Sequence, residues 1–221
     1  NMIAVVNVGT GNIRSIYLAL QKVAPAEKIC VTSNPLQLKK AKKIVFPGQG
    51  SMFGCVQKLK ENGFYEEIMN SISDKPFLGI CLGKQVLFDK SEEGNSLGLG
   101  LLSGEVVRFD KSRDAGSLIN TEFKIPHMGW NQVKILRNHF IFKGFNDSIN
   151  IQGTRVSNWF YFVHSFFVKP DDPKITLALT NYGRDFTSVV AKDNIIATQF
   201  HPEKSAKSGL LFLKNFISWK L

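Results

Sequence analysis

Gly79-Ile80-Cys81-Leu82-Gly83 puts a cysteine between two glycines, directly after the apolar run Phe77–Ile80. That is the spacing of a nucleophile elbow, in which the glycines permit a tight strand-to-helix turn that lifts the central side chain out of a sheet. The start of a helix favours the thiolate, which is the reactive form of cysteine. A buried structural cysteine could show the same five residues, so a second group has to carry the argument. Phe200-His201-Pro202-Glu203 supplies it. A cysteine nucleophile needs a base and a group to orient that base. Residues two apart on an extended segment point to the same side, which predicts that the Glu203 carboxylate reaches the distal ring nitrogen of His201. The expected chemistry is acyl transfer with Cys81 as nucleophile, His201 as base and Glu203 as orienting acid. A His-x-Glu pair alone is a common surface coincidence, but this one ends an expected core strand.

Acyl transfer also needs hydrogen-bond donors for the oxyanion. The backbone N–H of Leu82, just after the nucleophile, is one by the geometry of an elbow. Pro47-Gly48-Gln49-Gly50 ends a neighbouring strand, where Gly48, Gln49 and Gly50 can bring bare backbone close and let a peptide flip. An ordinary strand-ending turn would look the same. Among the other candidates, Cys30 and Cys55 lack the elbow setting and read as structural, and His139 reads as a surface group. His127 and His164 lie in aromatic-rich segments, as ligand-facing groups or as satisfied core groups.

The elements that must position these residues fall into two halves. Ile3–Val8, Ile29–Thr32, Lys43–Phe46 and Phe77–Ile80 read as apolar strands. Between them lie helical patterns at Ile13–Val23, Leu36–Ala41 and Phe53–Ser73, the last with a break near Gly63. A further helix is expected from Cys81 to about Lys90. This βαβα rhythm predicts a parallel sheet with ligands at the carboxyl ends of its strands. The second half reads as strands at Gly104–Phe109, Gln132–Ile135, Phe160–Phe167, Thr176–Tyr182, Thr187–Lys192 and Ile195–Gln199. Asp193-Asn194 is a tight turn between the last two, and a final helix covers about Ser208–Lys220.

The 221 residues, 43% hydrophobic and 21% charged, suit a globular protein able to bury a core without disulfides. Three widely spaced cysteines suit neither a disulfide framework nor a zinc site. No apolar run approaches the roughly 20 residues that span a bilayer, and no secretory leader pattern stands at the start. A cytoplasmic protein is expected. The net charge of +10 comes from lysines spread along the chain. With no nucleic-acid module beside them, they read as a solvated surface rather than a nucleic-acid site. A basic face could also recruit an acidic partner or a phosphorylated substrate.

Three motifs together, Pro47-Gly48-x-Gly50, Gly79-Ile-Cys-Leu-Gly-x-Gln85 and Phe200-His-Pro-Glu-Lys-Ser205, resemble the class I (triad) glutamine amidotransferases. Within that family the resemblance is to the glutaminase subunits of imidazole glycerol phosphate synthase. It rests on Gly9-Thr-Gly-Asn12, Ser91-Glu-Glu93, Leu99–Val107, Pro126-His-Met-Gly-Trp-Asn131, Tyr161-Phe-Val-His-Ser165 and Tyr182-Gly183, and it covers essentially the whole chain. The resemblance implies one flavodoxin-like α/β domain over residues 2–221, Asn1 being left aside. Its central sheet would be mostly parallel, with helices on both faces and an antiparallel or mixed extension. It implies that Gly50, Gln85, Glu93, His164 and Ser165 hold glutamine, and that Asn12 and Trp130 meet a partner. No cofactor or metal is implied. The implied partner is a (β/α)8-barrel cyclase, forming a heterodimer that receives ammonia internally for histidine biosynthesis. Paralogues implied by the same resemblance supply ammonia for amidating a surface-polysaccharide sugar. A silent scaffold would have no reason to keep Cys81, His201 and Glu203, and a cysteine protease on a similar scaffold would lack Gln85 and the His-Pro-Glu run. Three departures from the family stand out: Gln49 replaces a small apolar residue, Lys84 replaces a methionine, and Ile151–Asn158 is longer than usual.

Overall fold

Strand β1 (Met2–Val6) sends Ile3 and Val5 into one buried layer and Ala4 and Val6 into another. A strand buried on both faces needs cover on both sides, and the computed structural model provides it. It describes residues 1–114, 123–145 and 156–221. After β1 come α1 (Ile13–Val23), β2 (Lys28–Thr32), α2 (Leu36–Lys40), β3 (Lys43–Gly48), α3 (Met52–Glu61), α4 (Phe64–Ser71) and β4 (Phe77–Cys81). The chain continues through α5 (Leu82–Gln85), β5 (Phe88–Ser91), β6 (Ser96–Leu97), β7 (Leu102–Arg108), α6 (Lys111–Asp114), β8 (His127–Gln132) and β9 (Lys134–Ile135). It closes with β10 (Trp159–His164), β11 (Phe166–Pro170), β12 (Thr176–Tyr182), β13 (Arg184–Lys192), β14 (Ile195–Thr198) and α7 (Ala206–Ser218).

The main sheet runs β2-β1-β3-β4-β14-β13-β11-β7-β5-β6, with β12 also on β13 and β9 on β12. From β2 to β14 every pairing is parallel, and the extension from β13 onward is largely antiparallel. Ile16 and Leu20 of α1 join Phe212, Leu213 and Phe216 of α7 in the layer on one face. Leu38 of α2, Leu59 of α3 and Phe64 and Ile68 of α4 fill the other. This is the expected mixed α/β architecture: a mostly parallel central sheet, helices on both faces and an antiparallel extension. No helix of the described residues is long and apolar enough to cross a membrane.

Several elements differ from expectation. The helix after Cys81 does not reach Lys90 but stops at Gln85. The carbonyls of Val86, Leu87 and Phe88 are taken by the N–H groups of residues 99, 101–102 and 100, so β5 forms instead. The strand expected over Gln132–Ile135 is two, β8 and β9, parted at the buried Val133, whose N–H donates to the Asn158 carbonyl at 3.0 Å. The strand expected over Phe160–Phe167 is also two. β10 pairs with β8 in a separate two-stranded sheet, and β11 joins the main sheet through β7 and β13. The change of sheet falls at Ser165, whose carbonyl accepts from the Phe109 N–H at 3.0 Å. Of the long segment Ile151–Asn158, residues 151–155 lie outside the described residues.

Candidate active site

β3, β4 and β14 are neighbours in the parallel half, and register places Gly48 beside Cys81 at their carboxyl ends. Cys81 ends β4 with φ 56° and ψ −109°, a left-handed backbone that non-glycine residues adopt at a cost of order 1–3 kcal/mol. The two flanking glycines hold it there by close approach. A Cβ at Gly79 would collide with the Gly83 carbonyl, and one at Gly83 with the Phe46 carbonyl of β3. The elbow is therefore pressed onto the neighbouring strand, and Cys81 is 7% exposed at its tip. The helix behind it is a single turn of four residues.

His201 follows β14 and is tied to β10: its N–H donates to the Tyr161 carbonyl at 2.9 Å. Ser205 locks the same corner, donating from Oγ to the His201 carbonyl at 2.6 Å and accepting from the Tyr161 N–H at 2.9 Å. His201 Nδ1 lies 2.7 Å from Glu203 Oε1, and both side chains are 2% exposed. The two come to the same side through a 3-10 turn, Pro202–Lys204, and not through the extended segment expected from sequence. Proline at the first turn position fixes the backbone that folds Glu203 back. Burial pushes the His201 imidazolium toward neutrality, but the Cys81 sulfur and the Glu203 carboxylate outweigh it and raise the pKa to about 10. The Cys81 sulfur acts on the ring by charge and by a weak hydrogen bond that leaves Nε2 without a full partner. A histidine held this way keeps its proton at neutral pH, ready for a leaving group.

Cys81 opens into a cavity of about 530 Å3. Gln49, Gly50, Leu82, Gln85, Glu93, His164 and Ser165 all line it together with His201. Gly48 stands behind this lining, where a Cβ would press on Leu82. Gly50 has φ 98° and open space around its Cα, so a side chain there is barred by backbone conformation rather than by room. Sequence reasoning missed Ser51, Tyr161, Val163, Phe166 and Lys204 on the wall. It also missed Gln199, fully buried, whose Nε2 lies 3.7 Å from Cys81 Sγ. Gln199 sits two residues before His201, a spacing that the alternation of an extended chain could have flagged.

The two ambiguous histidines prove to be one unit. His164 Nδ1 faces the Phe166 carbonyl at 2.8 Å and must donate, leaving Nε2 to accept from His127 Nδ1 at 2.9 Å. His127 Nε2 then accepts from Asn131 Nδ2 at 3.2 Å. Burial lowers His127 to about 4 and His164 well below its usual value, so both rings are neutral. His127 is a core group stacked on Tyr182, whereas His164 reaches the cavity. His139 is partly buried and caps a 3-10 turn.

Asn12 caps α1, its Oδ1 accepting from the Ser15 N–H at 3.4 Å. Trp130 is 50% exposed on β8, with Met128 at 62% beside it and Trp159 of β10 at 45%. Among the described residues no group of three or more His, Cys, Asp or Glu is placed to hold a metal ion.

A family model described as glutamine amidotransferase class-I matches residues 5–219. The chain is 46% identical over 217 residues to the imidazole glycerol phosphate synthase subunit HisH of Aromatoleum aromaticum, covering 98% of both chains. With the subunit of the same name from Nitrosospira multiformis it shares 47% over 219 residues, 99% of this chain and 98% of that one. The PurLQS structure from Thermotoga maritima superposes with a TM-score of 0.66 at 18% identity, covering 98% of this chain and 97% of that one, which speaks for a common fold. An elbow cysteine beside a buried His–Glu pair, on this sheet and at these levels of identity, places the protein: the chain belongs to the class-I glutamine amidotransferase family.

Proposed function

We propose that this chain is the glutaminase subunit of an imidazole glycerol phosphate synthase, hydrolysing glutamine and passing the ammonia to a cyclase subunit in histidine biosynthesis. The observation that carries the chemistry is the convergence of Cys81, His201 and Gln85 on one cavity, with Glu203 bound to the far side of His201. Near-full-length similarity to HisH subunits supports the pathway. Glutamine enters with its amide carbon over Cys81 Sγ, and Gly50, Gln85, Glu93, His164 and Ser165 hold it. The sulfur attacks that carbon, and the oxyanion forms toward the Leu82 N–H and the Gly48–Gly50 backbone. His201 gives its proton to the leaving nitrogen, the C–N bond breaks, and a thioester and ammonia result. Water gives a proton to His201 as its oxygen adds to the acyl carbon. The C–S bond breaks, glutamate leaves with its carboxyl proton lost to solvent, and the Cys81 thiolate and protonated His201 are restored.

Ammonia in water is mostly ammonium and a poor nucleophile, so it is best handed over in a shielded path. One face of the pair β8/β10 carries Met128, Trp130 and Trp159, exposed, together with Tyr161 and Val163, which line the cavity, and so is an apolar surface continuous with the site. A (β/α)8-barrel cyclase seated there as a heterodimer partner would receive ammonia directly. The unit runs from residue 2 to 221 as one domain and works in the cytoplasm.

The test is glutamate release by the chain with its cyclase partner, wild type against Cys81→Ala. The substitution should abolish glutamine-dependent turnover and leave the partner's ammonia-dependent cyclisation intact. Glutamate release by Cys81→Ala at the wild-type rate would refute the assignment.

A further inference from the structure

A run of hydrogen bonds behind the nucleophile has only one possible polarity. The Phe166 carbonyl can only accept. Gln85 Nε2 lies 3.2 Å from it, so that end of the Gln85 amide must be its NH2 group. The same Nε2 lies 3.3 Å from the Gln199 amide and donates to Oε1. With its oxygen so engaged, Gln199 must turn its own NH2 toward Cys81 Sγ, 3.7 Å away. Gln199 is fully buried, and its N–H donates to the Ser188 carbonyl at 2.8 Å, so it has little freedom to turn elsewhere. The Phe166 carbonyl is itself held by His164 Nδ1 at 2.8 Å.

We propose that Gln199 is a further catalytic residue: an amide donor, oriented by Gln85 and Phe166, that stabilises the Cys81 thiolate before and between turnovers. His201 faces the same sulfur as a cation whenever that sulfur is a thiolate, but the ring passes its proton on in every turnover. Gln199 is a second donor at that sulfur whose proton takes part in no step. A donor without a titratable proton suits this position, since it can neither protonate the sulfur nor compete with His201 as acid. The proposal rests on the reading of Cys81 as the glutaminase nucleophile.

Alkylation of Cys81 by iodoacetamide, followed by peptide mapping that separates it from Cys30 and Cys55, reports thiolate without any need for glutamine binding. Rates are read across a pH series for the wild type, Gln199→Met and Gln199→Asn. The charges around the sulfur are His201 with Glu203 after β14, Lys84 on α5, neutral His164 on β10, and Glu93 and Lys204 on the cavity wall. All are common to the three proteins, so a difference between profiles belongs to position 199. Hydrogen bonds to charged groups predict that the midpoint of the alkylation profile moves up by about one pH unit in either variant. On the rising limb that is a rate roughly tenfold lower. The Asn variant keeps a buried amide but falls one methylene short of the sulfur, which preserves the test if the Met variant folds poorly. A folded variant with the wild-type profile overturns the proposal. Wild-type protein that alkylates at Cys81 yet releases no glutamate would instead overturn the glutaminase reading.

Discussion

Replacing Lys84 with methionine should stabilise the protein near neutral pH, and the gain should shrink as the pH rises. Lys84 is fully buried on the turn behind the nucleophile, and Nζ donates to the Thr187 carbonyl at 2.5 Å. Burial lowers its pKa from 10.5 to about 7, opposed in part by the Cys81 charge. Its unfolded-state pKa is the higher of the two, so between pH 7 and 10.5 the unfolded chain binds more protons and stability rises with pH. The penalty is absent above 10.5 and complete below 7. A shift of about 3.5 units corresponds to about 5 kcal/mol at most, of which roughly 4 remain at pH 7 and about 2 at pH 9. Methionine removes that penalty but leaves the Thr187 carbonyl without its donor, a loss of about 1–3 kcal/mol. The net expectation is that Lys84→Met is more stable by about 2 kcal/mol at pH 7 and close to the wild type at pH 9. Denaturant unfolding of both proteins at the two pH values measures it. A stability difference that stays constant between them would show that Lys84 does not titrate in this window.

Two further outcomes follow from the site. Glu203→Gln should reduce glutaminase turnover less than His201→Ala, because the carboxylate orients and charges the ring without moving the proton; in other triads these losses have been about 10⁴-fold and 10⁶-fold. Equal losses in steady-state kinetics, with both variants folded, would contradict the division of roles. If the proposed cyclase partner seats on β8 and β10, Trp130→Ala should weaken that association while the free chain keeps its fold, since half of the side chain already faces solvent. Calorimetric titration giving an unchanged dissociation constant would place the interface elsewhere.

The parallel half was legible because its strands are continuous apolar runs and its helices carry one apolar face. Gly79 and Gly83 pointed to the elbow because close approach leaves a mark in residue type. The end of α5 left no such mark: Val86-Leu87-Phe88 is apolar in helix or strand alike, and only the return of residues 98–102 decides between them. The break at Ser165 was hidden for a similar reason. Trp159–His164 and Phe166–Pro170 are both good strand sequences, and which sheet each joins depends on partners far away in the chain. Gln199 escaped notice because a buried amide between a threonine and a phenylalanine reads as any polar strand-end residue until its neighbours are known.

The change of sheet at Ser165 gives the cavity two walls of different mechanical descent. Cys81 stands on the main sheet, whereas Tyr161, Val163 and His164 stand on the small one, and the Val163 carbonyl looks across at Cys81 Sγ from 4.0 Å. The register puts Trp130 opposite Tyr161 and Met128 opposite Val163, so one face of the small sheet carries both the exposed apolar patch and the cavity wall. Whatever covers Trp130 therefore stands at the rim of the cavity, on the strand pair and not on the sheet that holds the elbow.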